Sequence, residues 1–226
     1  QGNLLTFLGE NGGIELFFDQ ILPVESVANE FCAVDNPSVC VEETTYKGSI
    51  KLPYRAGGYI IAYQRCCRNQ TLLNIVDPLE TRTTYFVTID DFAFTECNSS
   101  PVFNDWADIY ACKDTPLIFD HSAVDPDGDE LVYSLCTPVT GATIDQPMPQ
   151  PPFQPDSPVY PYWTEVTWNN IFSTENMFGV GTPLTIDPNT GVINAVPGMI
   201  GQFLIGICVQ EFRDGQLIGT VIRDFE

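Results

Sequence analysis

Positive charge is what this sequence has least of. Nine lysines and arginines stand against 30 aspartates and glutamates, a formal net charge of −21, with a single histidine, His121. Such a polyanion is repelled by nucleic acid and by anionic lipid, so neither is an expected partner. No apolar run reaches the roughly 18 residues a spanning helix needs, and no membrane insertion is expected. The start, Gln1-Gly2-Asn3-Leu4, has no charged stretch followed by an apolar core, so no signal peptide is expected either. An apolar stripe of 3.6-residue period nowhere lasts three turns; the pattern allows only a turn or two of helix near Thr71–Ile75.

Enzyme chemistry is missing too. His121 has no nucleophile and base patterned around it. The acidic pairs Asp90-Asp91 and Glu42-Glu43 are adjacent along strands, so their side chains point to opposite faces and cannot flank a bond to be cleaved. The expectation is a protein that is not an enzyme. With one histidine, the eight cysteines do not suit zinc, and the contiguous pair Cys66-Cys67 lacks metal-ligand spacing. Disulfides are the better reading, and they imply an oxidising compartment, extracellular or at the cell surface. The expected pairs are Cys32–Cys40, closing a local loop around Asp35-Asn36-Pro37, and Cys136–Cys208 between neighbouring strands. Cys66, Cys67, Cys97 and Cys112 are left to pair among themselves.

What the chain does have is alternation and turn chemistry. Tyr59, Ile61 and Tyr63 share one face of a strand against Ile60, Ala62 and Gln64, and Tyr85, Val87 and Ile89 alternate with Thr84, Phe86 and Thr88. Turn formers cluster at Glu96-Cys97-Asn98-Ser99-Ser100-Pro101, which sets a domain boundary: a β domain over 1–97, expected to be incomplete at its start, and a second over 98–226. The second half carries short strands around Leu117–Asp120, Leu131–Cys136, Leu184–Ile186, Gly191–Ala195, Gln202–Phe212 and Leu217–Phe225. Asp187-Pro188-Asn189-Thr190-Gly191 and Arg213-Asp214-Gly215 supply hairpin turns. The fold class is therefore all-β, two antiparallel β-sandwich domains with almost no helix. Between the strands, Asp145–Trp163 holds seven prolines and reads as a long extended loop. Its aromatics Tyr160, Tyr162 and Trp163, with Trp168, either stack on sugar rings as glycan contacts or cover the sandwich edge; the second reading is favoured.

One stretch organises the rest: Ala123-Val124-Asp125-Pro126-Asp127-Gly128-Asp129-Glu130-Leu131-Val132-Tyr133-Ser134-Leu135. Three alternating aspartates are broken by the turn residues Pro126 and Gly128 and followed by a strand. Carboxylates this close repel one another unless a cation sits among them, and hard oxygen ligands at short spacing suit Ca²⁺. Asp125, Asp127 and Asp129 are the candidate metal ligands. The alternative is a solvated turn holding no ion.

That stretch, together with Pro101-Val102-Phe103, Leu184–Ile193 and Gly201-Gln202-Phe203 to Asp214-Gly215, resembles the cadherin-like and Ig-like repeats of bacterial surface proteins over about 125 residues. In the first half, Tyr63-Gln64-Arg65-Cys66-Cys67-Arg68-Asn69, Asn74-Ile75-Val76-Asp77-Pro78 and Cys97-Asn98-Ser99-Ser100-Pro101-Val102-Phe103 are similar to the N-terminal region of large secreted, gliding-associated surface proteins of the Bacteroidota. Asp125 and Asp127 match the repeat's aspartate pair; Glu96, Asn98, Asp105 and Glu211 are further candidate ligands. The resemblance implies an extracellular surface protein serving adhesion or assembly, whose partners are other protein chains, through self-assembly or further repeats, and surface glycans. A filament subunit joined by strand addition and a carbohydrate-binding module are the alternatives. The last strand, Val221–Glu226, is expected to continue into further repeats or to pair with a neighbour.

Overall fold

A computed structural model describes residues 14, 16–23, 42–104, 110–149, 155–156, 161–179 and 184–226. Cys32, Cys40, Asp105 and Tyr160 lie outside the described residues. In chain order the strands are β1 (Phe17–Pro23), β2 (Glu42–Lys47), β3 (Tyr59–Arg65), β4 (Thr83–Ile89), β5 (Val102–Phe103) and β6 (Leu117–Asp120). They continue as β7 (Ala123–Val124), β8 (Glu130–Leu135), β9 (Leu184–Ile186), β10 (Val192–Ala195), β11 (Ile205–Arg213) and β12 (Gln216–Phe225). The alternating stretches of the core become strands because successive side chains point to opposite faces and one or both faces are covered, whereas β1 is exposed along its whole length. All strand pairs are antiparallel.

Strand β11 is the hub, flanked by β8 and β12 in one three-stranded sheet. Its odd-numbered residues Ile205, Ile207 and Val209 join Tyr133 of β8 in an apolar core. Leu184, Ile193 and Ala195 of the facing β6-β10-β9 sheet complete it. Two sheets closing over one core make a β-sandwich, and each side chain buried there contributes roughly 1.5–3 kcal/mol.

The opposite face of β11 is covered as well. Cys208 and Ile222 pack with Phe86 of β4, Val139 and Trp163, and Ile60 and Ala62 of β3 lie against the same cluster. The β3–β4 hairpin is thus a third layer on the central sheet. Further along, Leu72 and Ile75 share a smaller cluster with Val166 and Leu204. Residues on both sides of position 97 therefore build common cores. Polar groups reinforce the join: the fully buried Asn74 donates to Met177 O (3.1 Å) and Leu204 O (2.8 Å) and accepts from Leu204 N–H (2.9 Å).

The helical turn expected near Thr71–Ile75 is absent. Leu72 and Ile75 instead make isolated β-bridges to Gln202 and Trp168, which bring both side chains into the core. Among the described residues the helical element is a 3₁₀ turn at Phe92–Phe94. No helix in them is long and apolar enough to cross a membrane.

Candidate metal centre

The acidic turn is built by one of its own carboxylates. Asp125 Oδ1 accepts the backbone N–H groups of Asp127 (2.8 Å) and Asp129 (3.1 Å), and Gly128 N–H reaches Asp125 O at 3.3 Å. Gly128 sits at φ +85°, a left-handed conformation in which a side chain would be strained, so glycine lets the chain reverse there. One oxygen of Asp125 is spent on the loop. The other, Oδ2, is buried without a hydrogen-bond partner, and the residue is only 9% exposed.

The second contributor comes from β11. Glu211 continues the inward row of Ile207 and Val209 and is 2% exposed, at the end of the sandwich where β8 emerges from the acidic turn. A β-bulge between Glu211 and Phe212, on the β12 side, adjusts the course of the strand there. Glu211 Oε1 is buried and unpartnered too. Burial pushes its carboxyl up to about 7; the Asn98 amide opposes that rise, while Asp125 and Asp129 add to it. A buried carboxylate oxygen without a donor costs free energy, and Asp125 and Glu211 each bring one such oxygen to the same cluster.

Asp125, Asp129 and Glu211 each offer an oxygen within 4.8 Å of the others. That cluster could hold a metal ion. A shallow hollow bounded by Val124, Asp125, Gly128, Leu131, Tyr133 and Asn189 opens beside the turn. Asp129 has a cationic partner already: Arg213 donates from Nε to Oδ1 (2.6 Å) and from Nη2 to Oδ2 (2.5 Å). This fork holds the Asp129 carboxyl below the usual range and the guanidinium above its own.

The membership of the cluster differs from the sequence ranking. Asp127 turns outward, accepting Ser99 N–H at 2.6 Å and lying 3.8 Å from Arg213 Nη2, and so does not join Asp125 and Asp129. Pro126 and Gly128 reverse the chain between them, which breaks the alternation that would have put all three on one side. Glu96 is exposed, and Asn98 touches the cluster only through Glu211 and Arg213. The sequence signal for Glu211 was an acid at a position whose strand neighbours of the same parity are apolar. Arg213, not singled out from sequence, shares that parity.

The other candidate sites are placed as follows. Trp163 is 4% exposed and packs 5.3 Å from the Phe86 ring, with Tyr162 edge-on to the same ring at 5.4 Å. Trp168 is half-buried and donates from Nε1 to Thr137 Oγ1. Trp163 lies in the core, and its indole leaves no open face for a sugar there. Cys136 and Cys208 form a disulfide with Cα atoms 5.7 Å apart, Cys66 and Cys67 are bonded to each other, and Cys112 is also oxidised. Cys97, expected in a pair, is a free exposed thiol, since the other members of its expected group are already bonded. His121 is 1% exposed among Phe103, Phe119 and Phe225, with both ring nitrogens unpartnered.

Set against protein-family models, curated proteins and solved structures, the chain matches none.

Proposed function

We propose that this chain is a segment of an extracellular cell-surface protein that serves adhesion or assembly, and that Asp125, Asp129 and Glu211 bind Ca²⁺. The observation that carries the calcium reading is the pair of buried, unpartnered oxygens, Asp125 Oδ2 and Glu211 Oε1, on members of one carboxylate cluster. Three carboxylates, completed by backbone carbonyls and water, match the 6–8 oxygen ligands Ca²⁺ prefers; Mg²⁺ demands a tighter octahedron and yields its water reluctantly. The Glu211 proton leaves as the ion enters, since only the carboxylate ligates.

The surface setting is supported by the oxidised Cys66–Cys67 and Cys136–Cys208 pairs, which persist outside reducing compartments, and by the net charge of −21. It is also supported by the resemblance of the sequence to repeats of large secreted, gliding-associated surface proteins of the Bacteroidota. In such a segment the ion ties the acidic turn to β11 at one end of a sandwich, and the partners are other protein chains.

The test is thermal melting with millimolar Ca²⁺, with Mg²⁺ and with chelator. A site typical of extracellular modules has a Kd on the order of 10⁻⁴–10⁻³ M. At a hundredfold excess over Kd the folded state gains about 2.7 kcal/mol. The melting temperature should rise with Ca²⁺, rise less with Mg²⁺, return with chelator, and stop responding in Asp125→Asn/Glu211→Gln. Identical melts in calcium and chelator would overturn the reading.

A further inference from the structure

We propose that the Arg213 guanidinium is a built-in competitor for the cation, so that Ca²⁺ entry at Asp125, Asp129 and Glu211 loosens the Cys97–Ser99 segment from the acidic turn. The inference rests on the calcium reading above and adds to it the regulation of the same site.

Cys97 and Asn98 are held by groups an ion would take or displace, while Ser99 keeps its own tie to Asp127. Arg213 Nη1 donates to Cys97 O at 3.1 Å, and its Nη2 to Asn98 Oδ1 at 2.9 Å, while the same guanidinium grips Asp129. The Asn98 amide also bears on Glu211, holding its carboxyl down against the effect of burial. Ser99 N–H rests on Asp127 Oδ2, whose nearest cation is again Arg213, 3.8 Å away. Arg213 further lies over the Phe92 ring, 5.5 Å from its centroid, tying in the 3₁₀ turn that precedes the segment.

Both oxygens of Asp129 accept from this one fork. An ion drawing Asp129 toward Asp125 and Glu211 must share those oxygens with a guanidinium of like charge. Repulsion between the two cations at such range, in a site whose Asp129 side chain is only 4% exposed, is screened far less than in bulk water. The arginine is the group with freedom to leave, because it ends β11 at the Asp214-Gly215 turn and its side chain is 21% exposed. When it withdraws, Cys97 O and Asn98 Oδ1 lose their donor, and Asn98 loses Glu211 to the ion. Coupling of this kind is reciprocal: whatever Arg213 subtracts from ion affinity, the ion subtracts from the hold on 97–99.

Cys97 supplies its own reporter, as a free and exposed thiol. A nitroxide on Cys97 of the full chain, with Cys97→Ser as the labelling control, reads segment mobility while calorimetry reads Ca²⁺ binding. Arg213→Gln should bind Ca²⁺ about tenfold more tightly, within the range of ordinary site-to-site coupling. Arg213→Lys, which keeps the charge without the fork, should fall between and covers the case in which the glutamine variant folds poorly. The wild-type label should gain mobility with the midpoint seen by calorimetry, and the label in Arg213→Gln should be mobile before any calcium is added. Calcium binding that appears only in the arginine variants supports the competition in its strongest form. Unchanged or weaker affinity in both variants, or a wild-type label indifferent to saturating Ca²⁺, overturns the competition and leaves the calcium site standing. No binding in wild type and variants overturns the calcium site itself.

Discussion

Gly219 stands opposite Glu211 across the β11–β12 ladder, and a Cβ at position 219 would come within 2.8 Å of Glu211 Oε2. The missing side chain is the room in which the carboxylate lies. Where space is open, alanine in place of a strand glycine gains about 0.5–1 kcal/mol. Gly219→Ala should instead cost about 1 kcal/mol through overpacking, and it should blunt the calcium response by shifting Glu211. Urea unfolding in calcium and in chelator checks both effects; a stabilised variant with its full calcium response would show that Glu211 has room to spare.

The third layer is locked by an ion pair. Arg68 Nη2 lies 2.6 Å from Asp224 Oδ2, with side chains only 4% and 5% exposed, and Thr83 Oγ1 also donates to that carboxylate. Arg68→Met strands a buried carboxylate and should cost about 3–5 kcal/mol, whereas Arg68→Met/Asp224→Leu should recover most of it. Chemical denaturation of the three proteins decides; a single-variant loss near that of an exposed pair, below about 1 kcal/mol, would mean that water reaches the pair.

Trp163 offers a sharp contrast between core and ligand platform. Its indole is buried against Phe86, so Trp163→Ala should lower stability by about 3–5 kcal/mol through the cavity it leaves. A glycan array should show no hit that depends on Trp163. A variant that melts like wild type and loses a sugar ligand would restore the platform reading.

How far the sequence reached follows from which interactions are local. The hairpin of Asp187–Gly191, the period-two run of β11 and the Asp125–Gly128 reversal are encoded within a few residues, and each was legible. The third layer was not, because it depends on which face of β4 meets which face of β12: Arg68 and Asp224 are paired across the whole second half, and nothing local announces it. Trp163 follows a proline-rich stretch without a period, so its side could not be assigned from pattern. At the metal centre, Asp125 and Asp129 were legible as a turn. Asp127 was ranked above Glu211 because spacing along a chain says nothing about a carboxylate delivered from another strand.

His121 provides the pH dependence. It is 1% exposed, ringed by Phe103 at 5.0 Å, Phe119 at 5.7 Å and Phe225 at 5.7 Å, and neither ring nitrogen has a partner. Desolvation pushes its pKa down to about 4; Arg223, over the Phe103 ring at 4.5 Å, pushes the same way, and the neighbouring Asp120 opposes them. The unfolded chain therefore takes up a proton near the ordinary value of about 6.5, while the folded chain resists until about 4. Between those values the unfolded state binds more protons, so stability is full above about pH 6.5 and declines as pH falls through the window. His121→Phe removes this contribution and keeps an aromatic among aromatics. Carboxylates titrate in the same range in both proteins, so the measured quantity is the difference between wild type and variant in unfolding free energy from pH 7.5 to pH 4. The wild type should lose stability relative to His121→Phe as the pH falls, with most of the change below 6.5. Parallel curves would mean that the imidazolium finds a partner in the folded state, and the buried, unpaired histidine would have to be abandoned.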